Sequence, residues 1–121
     1  MNLRCSVCQR IYPPDTRKWC CECGGSFELE GTLPFSRQAV KPDEFTLWRY
    51  RNMLPIRDEK HIVCLGEGFT PLVETQVSGL RVFCKLEFMA PTGSFKDRGA
   101  AVLVSVLREM GVTGAEESPG R

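Results

Sequence analysis

Pro91-Thr92-Gly93-Ser94-Phe95-Lys96-Asp97-Arg98-Gly99-Ala100-Ala101 is the stretch on which the reading of this chain turns. A strand-like run, Arg81 to Glu87, precedes it, and an apolar run, Gly99 to Met110, follows. One lysine, Lys96, is thereby set at the mouth of a helix. The N-terminal end of a helix carries partial positive charge, so an ammonium is disfavoured there. An amine kept neutral is a good nucleophile towards an aldehyde. The segment therefore predicts Schiff-base chemistry at Lys96. Read blandly, Lys96 is a solvated surface lysine.

The helix is predicted over residues 94–110. Ser94 and Asp97 have capping-box spacing, and Gly111 suits the residue just past the end. Its middle, Gly99 to Val104, is apolar all the way round, the mark of a helix buried on several sides. Only one or two strands of this chain are available to cover it, which predicts that the segment belongs to a larger α/β domain and that the chain is its N-terminal piece. Upstream, residues 43–54 are expected as a helix stopped by Pro55, with Phe45, Leu47, Trp48, Tyr50 and Leu54 on its apolar face. Residues 61–65 and 71–74 are expected as short strands around a glycine turn. Cys64 and Cys84 read as buried small apolar side chains, and His61 as structural. Glu67 lies between two glycines with no role assigned.

Residues 1–31 have a different character. Cys5-x-x-Cys8 and Cys20-x-x-Cys23 are two thiolate pairs with metal-ligand spacing, separated by a short spacer, and four thiolates complete a tetrahedron around zinc. Gly24 and Gly25 permit the positive φ angles that such knuckles use. The expected ligands are Cys5, Cys8, Cys20 and Cys23, with Cys21 left out because Cys21-x-Cys23 is poorer geometry. A closed thiolate site acts on folding rather than on catalysis. Iron is the alternative ion, and redox or incidental cysteines the alternative reading. The division expected is a zinc-ribbon-like unit over 1–31, a connector over 32–42, and an incomplete α/β domain over 43–121.

Charge limits the functions available. The formal net charge is +1. In residues 1–31, Arg4, Arg10, Arg17 and Lys18 are balanced by Asp15, Glu22, Glu28 and Glu30, and metal-bound thiolates would make the ribbon negative. Neither nucleic acid nor an acidic membrane surface is an expected partner. No apolar run approaches the ~20 residues of a membrane span. Seven cysteines, an odd number with metal spacing and no signal-peptide pattern, suggest a reducing, cytoplasmic setting.

Residues 91–99 resemble the cofactor-lysine segment of fold type II pyridoxal-phosphate enzymes, the tryptophan synthase β-subunit family. Within that group the chain most resembles the threonine synthase family. Leu47-Trp48-Arg49-Tyr50-Arg51 is similar to the family's N-terminal helix, Leu65 to Leu72 to its early loop, and Lys85-Leu86-Glu87 to the end of the strand before the lysine loop. The resemblance implies that Lys96 is the catalytic residue and binds pyridoxal 5′-phosphate, with Phe95 packed near the cofactor ring. It implies a small amino-acid substrate, O-phospho-L-homoserine, converted to L-threonine by elimination and addition of water, and homo-oligomeric full-length relatives. The other readings are a serine or threonine dehydratase, a diaminopropionate lyase, or a non-catalytic zinc-dependent interaction module.

The resemblance breaks at the end. A family loop resembling Glu-Asp-Ser-Ser-Gly-Asn is expected after the helix. Here Pro119 and Arg121 stand where that pattern has serine and asparagine, although Glu116, Ser118 and Gly120 keep the spacing. The glycine-rich loop that grips the cofactor phosphate is also absent. The 121-residue chain alone is expected to show no turnover.

Overall fold

A computed structural model of the chain describes residues 2–31 and 34–114. The altered loop read at residues 115–121 lies outside the described residues. Chain contacts divide the protein into two units, 1–35 and 36–121.

The first unit is a three-stranded antiparallel sheet of β1 (Leu3–Cys5), β2 (Ile11–Tyr12) and β3 (Phe27–Leu29). β1 is central, pairing Leu3 with Tyr12 on one side and Cys5 with Phe27 on the other. The strands are very short and the core is correspondingly small. Cys5, Tyr12 and Cys21 are buried, with Leu3 and Phe27 packed against them. Tyr12 and Phe27 meet in a tilted aromatic pair with ring centroids 4.8 Å apart. So little apolar surface does not stabilise a unit of this size by itself.

The second unit contains a hairpin and one long helix. β4 (Leu72–Val77) and β5 (Leu80–Lys85) pair antiparallel in full register from Leu72–Lys85 to Val77–Leu80. A two-residue turn at Ser78-Gly79, both at positive φ, closes the hairpin and matches the strands' twist. α1 (Lys96–Glu109) follows after the loop 90–95. It ends as predicted. Gly111, at φ 72°, donates its N–H to Arg108 O, and Val112 N–H reaches Leu107 O, so the last carbonyls are satisfied in a Schellman arrangement.

Three expectations need correction. Residues 43–54 do not form one helix: only Leu47–Met53 winds, as tight 3-10 turns broken at Tyr50, with the Thr46 hydroxyl accepting from Trp48 N–H. The apolar spacing was correct for Trp48, which is buried with Ile56 and Ala101, but Phe45 stays exposed. Residues 61–65 are no strand; Glu59–His61 is a 3-10 turn. Cys64 and Cys84 are exposed, not buried. Cys84 sits on a ribbon whose two faces are both open, so alternation along the strand does not translate into burial.

The helix packs by one narrow face only. Ala101 is buried with Trp48 and Ile56, and Leu54, Ile62, Val102 and Val106 pack around them. Ser105 is fully buried, donating to Ala101 O at 2.7 Å and accepting from Val63 N–H at 2.9 Å. Leu103 remains 55% exposed. The all-round burial expected from its composition is not met by the residues described.

Candidate functional sites: a braced lysine and a cysteine quartet

Lys96 is the first residue of α1, and the two residues after it hold the helix start in place. The Asp97 carboxylate, buried, turns back to accept from Thr92 N–H at 2.8 Å and from the Thr92 hydroxyl. Ser94 Oγ accepts from Lys96 N–H at 3.2 Å. The reciprocal Ser94–Asp97 box read from spacing does not form: the helix begins at Lys96, with Phe95 and not Ser94 in the cap position, Ser94 Oγ accepts from Lys96 N–H just before it, and Asp97 pins Thr92 instead. The effect is a closed loop from Thr92 to Asp97 that fixes the direction in which Lys96 leaves the backbone. Phe95 is the residue before the helix and is 66% exposed.

Arg98 ties the same turn to the hairpin. Its Nε and Nη2 donate to the two oxygens of Glu87 at 2.8 and 2.9 Å, and Nη2 also donates to Thr70 Oγ1 at 2.9 Å. Thr70 in turn donates to Glu87 at 2.6 Å, and the Lys85 ammonium donates to Thr70 O. A bidentate guanidinium–carboxylate pair is the strong form of this contact. The Arg98 guanidinium, and after it the Thr70 hydroxyl, hold the Glu87 carboxyl down at about 2. Three segments that are apart in sequence thus meet behind the lysine. Thr70, Glu87 and Arg98 stand in separate stretches of the sequence, and spacing along the chain does not reveal that they form one cluster. Complementary charge at Glu87, two residues past β5, and at Arg98, the third residue of α1, was the available signal.

In the first unit, the sulfurs of Cys5, Cys8, Cys21 and Cys23 all lie within 4.8 Å of one another. Cys5 Sγ is 3.5 Å from Cys23 Sγ, and Cys8 Sγ is 3.5 Å from Cys21 Sγ. Cys20, taken from spacing as the third ligand, is not in this group, and Cys21, which spacing set aside, is. The cause is the local turn. Gly24 N–H closes onto Cys21 O at 2.8 Å, and Cys21 N–H onto Gly25 O at 2.9 Å, which carries the Cys21 and Cys23 sulfurs towards the β1 knuckle; Cys20 lies just outside that turn. Gly25 is required here by close approach, since a Cβ would meet Cys5 Sγ at 2.6 Å.

The donor set fits a tetrahedral thiophilic ion. Zn–S bonds of about 2.3 Å imply sulfurs about 3.8 Å apart in a regular tetrahedron. The N–H groups of Val7 and Cys8 point at Cys5 Sγ at 3.4 Å each, and the Tyr12 hydroxyl lies 3.2 Å from Cys21 Sγ. The N–H of Cys23, then the Tyr12 hydroxyl, bring the Cys21 thiol down to about 6. Cys8 goes the other way: although the Arg10 N–H favours its thiolate, the sulfurs of Cys21 and Cys23 push it up to about 11. Crowded thiolates repel, and a divalent cation among them is what lets all four ionise together.

No described helix is long and apolar enough to cross a membrane.

Residues 63–120 match the family described as "Pyridoxal-phosphate dependent enzyme". Among curated proteins the chain is similar to the threonine synthase of Methanocaldococcus jannaschii, 39% identical over 122 residues, covering 93% of this chain and 30% of that protein. The threonine synthase of Methanosarcina acetivorans is 30% identical over 120 residues, covering 92% of this chain and 29% of that protein. That of Synechocystis is 41% identical over 90 residues, covering 65% and 24%. The chain therefore spans less than a third of the length of these relatives. No solved structure matches it.

Proposed function

Because residues 63–120 belong to the pyridoxal-phosphate-dependent enzyme family, we propose that this chain supplies the lysine-bearing part of a threonine synthase-like lyase that converts O-phospho-L-homoserine and water to L-threonine and phosphate. The observation that carries the proposal is Lys96 itself. It opens α1 inside the matched segment, behind a loop closed by Asp97 and a turn anchored by Arg98 to Glu87 and Thr70. The relatives' names support the substrate. When bound, pyridoxal phosphate would serve as the electron sink. The chain's own residues do the rest of what can be assigned here. Lys96 Nζ would hold the cofactor at its carbonyl carbon and would carry protons during turnover. Phe95 would pack against the cofactor ring, and Asp97 and Arg98 hold the turn from which the lysine leaves the backbone.

The test is a chimera in which this chain replaces the matching part of the M. jannaschii relative. With phosphohomoserine it is expected to release threonine and phosphate in equal amounts, and Lys96→Ala is expected to abolish both. Borohydride reduction with bound cofactor should label the peptide carrying Lys96. Label on another side chain, or ketobutyrate from threonine without phosphate turnover from phosphohomoserine, would defeat the reading.

For the first unit we infer a structural zinc ion held by Cys5, Cys8, Cys21 and Cys23. The quartet's sulfur spacing and the N–H groups aimed at Cys5 support it. Four thiolates leave no open position for substrate, so the ion acts on folding. Cobalt substitution tests the ligand set. One ion per chain with intense thiolate charge-transfer bands is expected in the parent and in Cys20→Ser. In Cys21→Ser the affinity should drop by more than the roughly 10–100-fold that outer partners cost.

A further inference from the structure

The second unit holds a cleft of about 480 Å³ between the tight turns of residues 47–53, the segment Phe69–Leu72 and the end of β5. That volume falls in the range of roughly 300–1,000 Å³ typical of small-molecule sites. Three cations line it, Arg49, Lys85 and Arg98, against one carboxylate, Glu87. Arg98 already has Glu87 and Thr70 as partners, so the pair is internally neutral. Arg49 differs. Its guanidinium is stacked against the rings of Phe69 at 4.8 Å and Tyr50 at 5.6 Å. Among the described residues it has no carboxylate or carbonyl partner, and its Nε is buried without a hydrogen bond.

A stacked guanidinium with no acceptor is an arrangement in need of an anion. The rings fix the plane of the fork, so little rotamer freedom is lost on binding, and the fork matches phosphate or carboxylate in a bidentate way. Lys85 adds a second charge on the same cleft. Its ammonium has three donors and contacts Thr70 O with one, leaving the others for a doubly charged group. We propose that this cleft binds a small phosphomonoester, with Arg49 as its principal anchor and Lys85 as the second. Neither Lys96 nor Phe95 lines the cleft, although Thr70, Glu87 and Arg98, which brace the turn carrying the lysine, do.

The experiment titrates the metal-loaded 121-residue chain at low ionic strength with inorganic phosphate, O-phosphoserine and acetate. It follows the Arg49 side-chain N–H and the backbone amides of Thr70 and Leu72 by NMR. Saturable shifts at these groups are expected with phosphate and phosphoserine, at concentrations where acetate has little effect. Arg49→Gln should weaken binding by about tenfold or more, the loss of a charge-assisted pair. Arg49→Lys should be intermediate. Lys85→Gln, at an exposed position, gives a second variant that does not rest on Arg49's stacking, and it should weaken binding severalfold with amide dispersion intact. No saturable binding, shifts centred on other residues, or unchanged affinity in both the Gln variants would overturn the proposal. Acetate binding as tightly as phosphate would also overturn it, by making the cleft a carboxylate seat.

Discussion

At the scale of single residues, the lysine loop is governed by carboxylates that neighbour it rather than by the lysine. Glu87 illustrates the consequence for pH. Its carboxyl titrates at about 2 in the folded chain, below its ordinary value of roughly 4.3. The folded state therefore favours the ionised form. The resulting stability is fully present above the ordinary carboxyl range and is lost as pH falls from there through about 2. The melting temperature of the parent chain should fall across that window, and Glu87→Gln should remove much of the dependence while lowering stability at pH 7. An unchanged acid profile in Glu87→Gln, followed by circular dichroism, would show that Arg98 and Thr70 do not hold this carboxylate. Ser105 gives a second prediction at this scale. Its hydroxyl is fully buried and serves Val63 N–H and Ala101 O together. Ser105→Ala should cost about 1–3 kcal/mol by leaving the Val63 donor unpaired, as read by denaturant unfolding.

At the scale of elements, α1 is stabilised at its ends more than along its length. Ser94 accepts from Lys96 N–H through its hydroxyl and from Asp97 N–H through its carbonyl, and Gly111 with Val112 closes the last turn. Glu109 lends its carboxylate to the N–H groups of Arg57 and Asp58 at 3.1 and 2.8 Å, tying the helix's last residue to the loop before the 59–61 turn. Gly111→Ala forces a Cβ into the left-handed region, which costs about 1–2 kcal/mol. The loss should appear as earlier fraying of α1 by hydrogen exchange at its C-terminal amides, with the N-terminal amides unaffected. Although the start falls at Lys96 and not at Ser94, the C-terminal end was legible in the sequence because a glycine just past the helix acts within a few residues. The 43–54 segment was not, because apolar recurrence at three and four residues does not distinguish an α-helix from consecutive 3-10 turns carrying one buried tryptophan.

At the scale of the molecule, the two units are held by different forces. Residues 2–31 bury three core side chains beside four clustered sulfurs that could hold a metal ion, the proposed source of the unit's stability; the second unit has a buried cluster around Trp48, Ile56 and Ala101. Chelation at neutral pH should therefore erase the signal of Tyr12 and the short sheet and leave the helical signal of α1, so that the chain loses its units separately. A single concerted loss of both would contradict this. The hairpin and helix also carry Leu72, Val77, Leu80, Phe83, Leu103 and Val104 exposed, a larger apolar surface than scattered surface residues account for. The purified chain should bind a hydrophobic dye in its native state and associate as its concentration rises, measured by sedimentation.

Composition and spacing by themselves determined what is local. While the family of the segment around Lys96 came from the resemblance of its motifs and the match over residues 63–120, spacing determined the lysine at a helix mouth, the glycine that ends that helix and a set of cysteines with metal-ligand spacing. Each of these depends on residues a few positions apart. Tertiary structure alone decided the rest. It chose Cys21 over Cys20, because the turn that Gly24 and Gly25 close sets which sulfur faces β1. It joined Thr70, Glu87 and Arg98, because only the hairpin's return brings those segments together. Spacing along a chain specifies which groups are available, and the direction in which the backbone turns decides which of them meet.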